Sequence, residues 1–290
     1  MHRLLIIALF SSLIISLHAK EAPPALRQSM EQVYETWRNA MLKKDYTSWK
    51  KVTAYARQVE TRNVVVSQKK QFPGAVFAVP MKPPSLMKLK PLSVQSNGPT
   101  ATAIYFGQVD FEVDAAAPTS SLLVLRYLKE DTWKFHSLAV MGGLPVDVIE
   151  DIGANRLGFL KEPEFQPSGR SPKVQQPCPK PDHIADLHVI SLGFETEVVI
   201  NGISEHTTSD DFGTQLVIGG LKNGKNTISI KSRKMSKSVW GQKNLKVTAH
   251  VKTGNRKNPA VNVFEFKPDP AKGPFAYKGS FVIDKAALRR

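Results

Sequence analysis

The chain has 290 residues and a single cysteine, and its 40 Lys and Arg against 25 Asp and Glu leave a formal net charge of +15. One thiol excludes an intramolecular disulfide, so the fold must be stabilised by packing. The positive charge favours anionic partners and carries no information about the fold.

At the N-terminus, Met1-His2-Arg3 precedes an apolar run from Leu4 to Leu17 and the small residue Ala19. This basic, apolar, small order is the layout of a cleavable secretory signal over 1–19, and the apolar run is too short to span a bilayer. The expected location is extracytoplasmic, either periplasmic or secreted. There the anionic partners at hand are envelope glycans, lipid surfaces and acidic proteins, with nucleic acid a weaker candidate.

Leu26, Met30, Val33, Trp37 and Met41 recur at steps of three and four, which predicts a helix with one apolar face. Asp45 is a suitable N-cap for a second helix running through Trp49 and Val52 to Tyr55 or Ala56. Pro73, Pro80, Pro83 and Pro84 then break the pattern, and the period changes to two. Strands are expected over Leu86 to Val94, Ala101 to Phe111, Leu122 to Lys129 and Trp133 to Met141, the last pair joined by a tight turn at Glu130-Asp131-Thr132. Helices followed by antiparallel strands predict an α+β domain over 20–160, with the helices on one face of a curved sheet.

The order of a helix, then Lys44-Asp45-Tyr46 with Trp49, then a proline-broken stretch and strands ending in Trp133-Lys134-Phe135-His136, resembles the nuclear transport factor two-like (ketosteroid isomerase-like) cone. The resemblance covers roughly Ala25 to Gly142. It implies a pocket between sheet and helices, used in some members for proton transfer at carbonyl compounds, and it leaves open a homodimer through the cone. Candidate pocket residues are Tyr34, Trp37, Tyr105, Asp110 and Arg126, with Tyr127 and His136 as further polar types. No pair of acids occupies matching inward strand positions. An Arg126–Asp110 ion pair is expected if the strand register allows it.

Residues 161–182 hold six prolines and no hydrophobic period, which predicts an extended linker. Cys178 lies within it as a free thiol or as half of an intermolecular bridge. Beyond it, strands are expected over Leu187 to Phe194, Glu197 to Asn201, Thr214 to Ile218, Asn226 to Ser232, Leu245 to Lys252, Val261 to Phe266 and Tyr277 to Ile283, which predicts an all-β sandwich over 183–290. Val199-Ile200-Asn201-Gly202, followed by Gly219-Gly220-Leu221-Lys222-Asn223-Gly224-Lys225-Asn226-Thr227-Ile228, is similar to the layout of bacterial surface sandwiches and galactose-binding-like modules.

From Phe212 to Phe264 there is no acid, while eleven Lys or Arg fall between Lys222 and Lys257. Asn223-Gly224 predicts a type I′ hairpin with Lys222 and Lys225 at its tip. Alternation then turns Lys231, Arg233, Lys246 and Lys252 outward, so these six cations are the expected anion-binding set. Trp240, in a loop between two basic strands, is the candidate sugar contact. His183 and His188 have no companions that would complete a metal site, and no phosphate loop is present. The expectation is an exported non-enzymatic binding or scaffold protein of a bacterial envelope, without cofactor, whose basic face meets an anionic polymer or surface. The alternatives are a small-molecule isomerase, lyase or hydrolase acting in the cone, and a carbohydrate-binding module.

Overall fold

The structure is a computed structural model that describes residues 20–21, 24–79, 81–112, 119–254, 256 and 259–289. The expected leader 1–19 and Lys257 lie outside these. The first elements are β1 (Lys20–Glu21), α1 (Pro24–Lys43), α2 (Tyr46–Val52), α3 (Tyr55–Ser67), β2 (Lys90–Asn97), β3 (Thr100–Gln108), β4 (Ser120–Lys129), β5 (Trp133–Met141) and α4 (Val146–Gly153). There follow β6 (Ala185–Leu192), β7 (Phe194–Ile200), β8 (Ser204–Ser209), β9 (Phe212–Leu216), β10 (Gly224–Lys234), β11 (Asn244–Lys252), β12 (Ala260–Phe266) and β13 (Phe275–Ile283). The order is α+β and then β-rich. No helix among the described residues is long and apolar enough to cross a membrane.

Two compact units result. One holds the described residues up to Arg38 together with Pro83–Ser171, and the other holds Asn39–Lys82 with Pro172–Arg290, so the division falls inside α1.

In the first unit, β1 to β5 form an antiparallel sheet in sequence order. The stripe predicted on α1 covers one face, where Met30 and Tyr34 meet Ala103, Tyr105, Leu123, Leu125, Tyr127 and Phe135. Trp37 packs against Phe135 with ring centroids 4.1 Å apart. The other face is also buried: Leu92, Ile104, Leu122 and Val124 pack with Ile152 of α4 and with Leu160 and Phe165. Burial on both faces accounts for the uninterrupted buried runs Thr100–Tyr105 in β3 and Ser121–Leu125 in β4, and it departs from the expected one-sided packing. The strand expected from Leu86 starts at Lys90, because Leu89 N–H closes a turn on Leu86 O at 3.0 Å.

In the second unit, Asp45 caps α2 as expected, its side chain accepting from Ser48 N at 3.1 Å. The helix does not continue to Ala56. Thr53 is extended, and its hydroxyl takes the Trp49 carbonyl at 2.6 Å, while Gln58 Nε2 satisfies the carbonyls of Lys50 and Thr53 at 2.8 and 2.7 Å. With those groups satisfied the chain turns and α3 begins.

On α3 the buried face at steps of four is Val59, Asn63 and Ser67. Asn63 is fully buried; its carboxamide oxygen accepts from Cys178 N at 2.8 Å and its amide nitrogen donates to Gln176 O at 2.9 Å. Ser67 Oγ donates to Asn63 O at 2.6 Å and accepts from Gly219 N at 2.7 Å. Within the proline-rich stretch, Pro163–Phe165 forms a short 3-10 turn whose Phe165 is buried in the first unit, and the part that belongs to the second unit is pinned along α3. Cys178 is 1 % exposed, with Sγ 3.7 Å from both the Ser67 hydroxyl and the Asn63 carbonyl, so a bridge to another chain would first require local opening. Gly220 follows at φ +54°, where a Cβ would stand 2.3 Å from His183 O and 2.4 Å from Pro181 Cβ.

The strands of this unit form two four-stranded antiparallel sheets, β13-β10-β7-β8 and β12-β11-β6-β9. Ala185, Leu187 and Val189 of β6, Val198 and Ile200 of β7, Ile228 and Ile230 of β10 and Val247 and Val251 of β11 make one shared core. The predicted alternation on β10 and β11 is therefore observed. The type I′ hairpin is not, because it needs positive φ at both central residues and only Gly224 has it. Leu221 instead bridges to His183, and Asn226 closes the turn by accepting from Lys222 N at 3.0 Å and donating to Lys222 O at 2.8 Å.

Replacing Asn63 by Ala strands the Cys178 N–H and the Gln176 carbonyl in a buried place, at a cost of about 2–4 kcal/mol for two unmet groups. Urea unfolding followed by circular dichroism measures this, and a loss below about 0.5 kcal/mol would show that the amide is not an anchor.

Candidate functional site

In the first unit Tyr34 and Tyr105 are essentially fully buried. Tyr34 OH donates to Pro84 O at 2.7 Å, and Tyr105 OH donates at 3.1 Å to Glu31 Oε1, which also accepts from Arg27 Nε at 2.8 Å. Burial pushes both phenols well above their ordinary range, with the Glu31 charge adding to the shift at Tyr105. Tyr127 is buried and pushed up in the same way, and its hydroxyl has no hydrogen-bond partner among the described residues. With Trp37 and Phe135 these rings fill the space beside the sheet. Sequence reasoning missed Glu31, which comes from α1 rather than from a strand.

The register separates the two remaining candidates. Arg126 pairs opposite Thr102 and donates to Glu164 O at 3.1 Å, whereas Asp110 lies beyond the end of β3, exposed, and accepts from Glu112 N at 2.7 Å. They form no ion pair. His136 is half-buried on β5 beside Phe135.

An arrangement missed in the sequence lies on β8. Ser204 Oγ is 2.6 Å from His206 Nε2, and His206 Nδ1 is 2.7 Å from Gln215 Oε1. With Gln215 Oε1 as acceptor, Nδ1 carries the proton and Nε2 accepts from the serine. This is the order of nucleophile, base and orienting group. Ser204, however, is fully buried and already accepts from Ile218 N at 2.8 Å, and burial holds His206 below the ordinary imidazole value. The network satisfies inward polar groups of an edge strand and offers no access to a substrate.

The six expected anion contacts do not form one acid-free surface. Arg233 donates twice to Glu195, at 3.0 and 2.6 Å; Lys246 pairs with Glu265 at 3.0 Å; and Lys252 pairs with Asp186 at 2.9 Å. Lys231 lies opposite Glu197 in the register. A sheet takes its neighbours from other parts of the chain, so a run without acids in sequence becomes a face of mixed sign in space. Lys222 and Lys225 are exposed and make no ion pair among the described residues.

The loop between β10 and β11 is different. Asp210, at φ +47° between β8 and β9, accepts on one oxygen from Gly193 N and Ser238 Oγ, both at 2.7 Å, and on the other from Val239 N at 2.8 Å. Its carbonyl accepts from Trp240 Nε1 at 2.7 Å. Thus held, Trp240 leans on Phe212 with ring centroids 5.6 Å apart and an interplanar angle of 60°. Both rings stay open to solvent, Trp240 at 43 % and Phe212 at 56 %. Lys237 and Lys243 flank Trp240 in the same loop, are exposed, and take part in no ion pair among the described residues. The stem of Lys243 lies over Gly193, where a Cβ would come within 2.9 Å of its Cγ.

His188 and His250 stack on the outer face of the second sheet, with centroids 4.3 Å apart. His250 is held below its ordinary value by partial burial first and then by His188. His183 is elsewhere, bonded to Asn223 at 2.8 Å. Among the described residues no group of three or more His, Cys, Asp or Glu is placed to hold a metal. Comparison with protein-family models, with curated proteins and with solved structures found no match.

The Gly193 N–H, and after it Ser238, holds the Asp210 carboxyl below the ordinary range. A depressed carboxylate contributes order above its unfolded pKa and loses that contribution as pH falls through the folded value. The loop should therefore stay ordered from neutral pH down to the ordinary carboxylate range and loosen below it. Asp210→Asn should loosen it already at neutral pH, raising the acrylamide-quenchable part of tryptophan emission with the far-ultraviolet dichroism unchanged. Equal quenching in variant and parent would refute the bracing role.

Proposed function

We propose that this chain is an exported, non-enzymatic binding protein whose second unit is a β-sandwich that holds an anionic glycan at the Trp240 loop. The reading rests on one observation: two exposed aromatic rings on a hydrogen-bonded loop, flanked by Lys237 and Lys243, which have no carboxylate partners among the described residues. Sugar rings pack their C–H faces on aromatic side chains, and uronate or sulfate groups meet the lysines. A lipid surface or an acidic protein would use the charge but has less need of the braced ring pair. Export rests on the order of residues in 1–19.

The sandwich reading is supported by the single core shared by the two sheets. In the first unit, α1 on a five-stranded antiparallel sheet supports the cone reading. Its interior is occupied by Tyr34, Trp37, Tyr105, Tyr127 and Phe135, which favours a supporting role over a reaction chamber.

The test is binding of the full chain to a polyuronate and to a neutral glucan at low and physiological salt. Trp240→Ala should weaken polyuronate binding by about 1–2 kcal/mol, roughly tenfold. The Lys237→Gln, Lys243→Gln double variant should flatten the salt dependence. Equal affinity of Trp240→Ala and parent would remove the loop as the ligand surface.

A further inference from the structure

We infer that the second unit carries a separate site for a phosphate or sulfate ester, in the cleft at the C-terminal end of α3. The cleft has a volume of about 590 Å³ and is lined by Arg62, Val66, Lys69, Lys70, Gln71, Phe72 and Lys180. Four of these seven residues are cations and none is an acid, in contrast to the mixed-sign strands.

The cations arrive from two parts of the chain and are positioned by different means. Arg62 Nη1 donates to Cys178 O at 3.0 Å and to Asn63 Oδ1 at 3.3 Å, which orients the guanidinium and leaves its other N–H groups for a ligand. Lys69 sits at φ +56° just past the end of α3 and donates to Asp182 O. The Asp182 carboxylate is engaged elsewhere, accepting from Asn223 N at 2.9 Å. Lys70 and Lys180 are exposed and form no ion pair among the described residues. Two lysines after a helix end are favoured by the helix dipole alone. That does not account for Arg62 and for Lys180, brought in from the proline-rich stretch. Such a cluster repels itself until a multiply charged anion enters, and planar guanidinium and ammonium groups together suit a tetrahedral oxyanion. Phe72, set edge-on against Tyr46 with centroids 5.7 Å apart, and Val66 give the cleft an apolar wall. The ligand class is therefore an oxyanion ester whose other part is a ring or an apolar group.

Titration calorimetry of the full chain with phenyl phosphate and phenyl sulfate at low ionic strength tests this. Binding should weaken with salt, and Lys70→Gln and Lys180→Gln should each reduce it about 2- to 5-fold, the range of exposed ion pairs. Phe72→Ala should bring phenyl phosphate down to the affinity of inorganic phosphate. Phenyl phosphate should lose affinity below about pH 6 as its second charge is lost, while phenyl sulfate does not change. Trp240→Ala should leave all of these values unchanged, which separates this site from the glycan reading. No binding of any probe, or lysine variants that bind as the parent does, would overturn the proposal, as would loss of binding in Trp240→Ala.

Discussion

The side chain of Asn63 meets two backbone groups of another segment while sitting at zero exposure, and much of the second unit follows from that arrangement. An amide buried without partners would cost several times what a hydrogen bond contributes, so the segment around Cys178 has one place where both sides are satisfied. Once it lies there, Cys178 fills the gap beside Ser67, the Ser67 hydroxyl reaches the turn at Gly219, and Gly220 has no room for a side chain. Arg62 is aimed by the same segment, and Lys180 is delivered close by. The cationic cleft is thus a product of the anchor.

Asp210 does comparable work at the loop between β10 and β11. A short acidic side chain gathers donors from Gly193, Ser238 and Val239, and its own carbonyl holds the indole of Trp240. The difference lies in charge. Asn63 is indifferent to pH, whereas the Asp210 contacts depend on ionisation. In both places an aromatic ring and cations without acid partners among the described residues stand beside backbone that polar side chains hydrogen-bond. Rigid presentation reduces the entropy lost when a ligand orders a loop.

The sequence patterns were legible where burial is apolar. The stripe from Leu26 to Trp37, the alternation in β10 and β11, the Asp45 cap and the turn between β4 and β5 follow from periodicity and capping chemistry. Legibility failed where polar residues face inward. On α3 the buried positions include Asn63 and Ser67, and on β8 they are Ser204, His206 and Thr208, so neither element shows a hydrophobic period. The run of Val64, Val65 and Val66 adds poor helix formers to α3. Of the site candidates, the exposure of Trp240 is what a loop position suggests, but its partner Phe212 and its brace Asp210 come from a distant turn. The cross-strand acids Glu195, Glu265 and Asp186 could not be placed beside their cations without the register.

Under the proposed reading the ligand meets the exposed Trp240 loop of the second unit, whereas the tyrosines of the first unit and the Ser204–His206 contact are buried. The most direct measurement is the set of indole N–H signals in a nitrogen-correlated spectrum of the full chain during addition of a polyuronate. The account predicts that the Trp240 indole signal moves while those of Trp37, Trp49 and Trp133 stay in place. A still Trp240 signal, or movement confined to the other three, would contradict it.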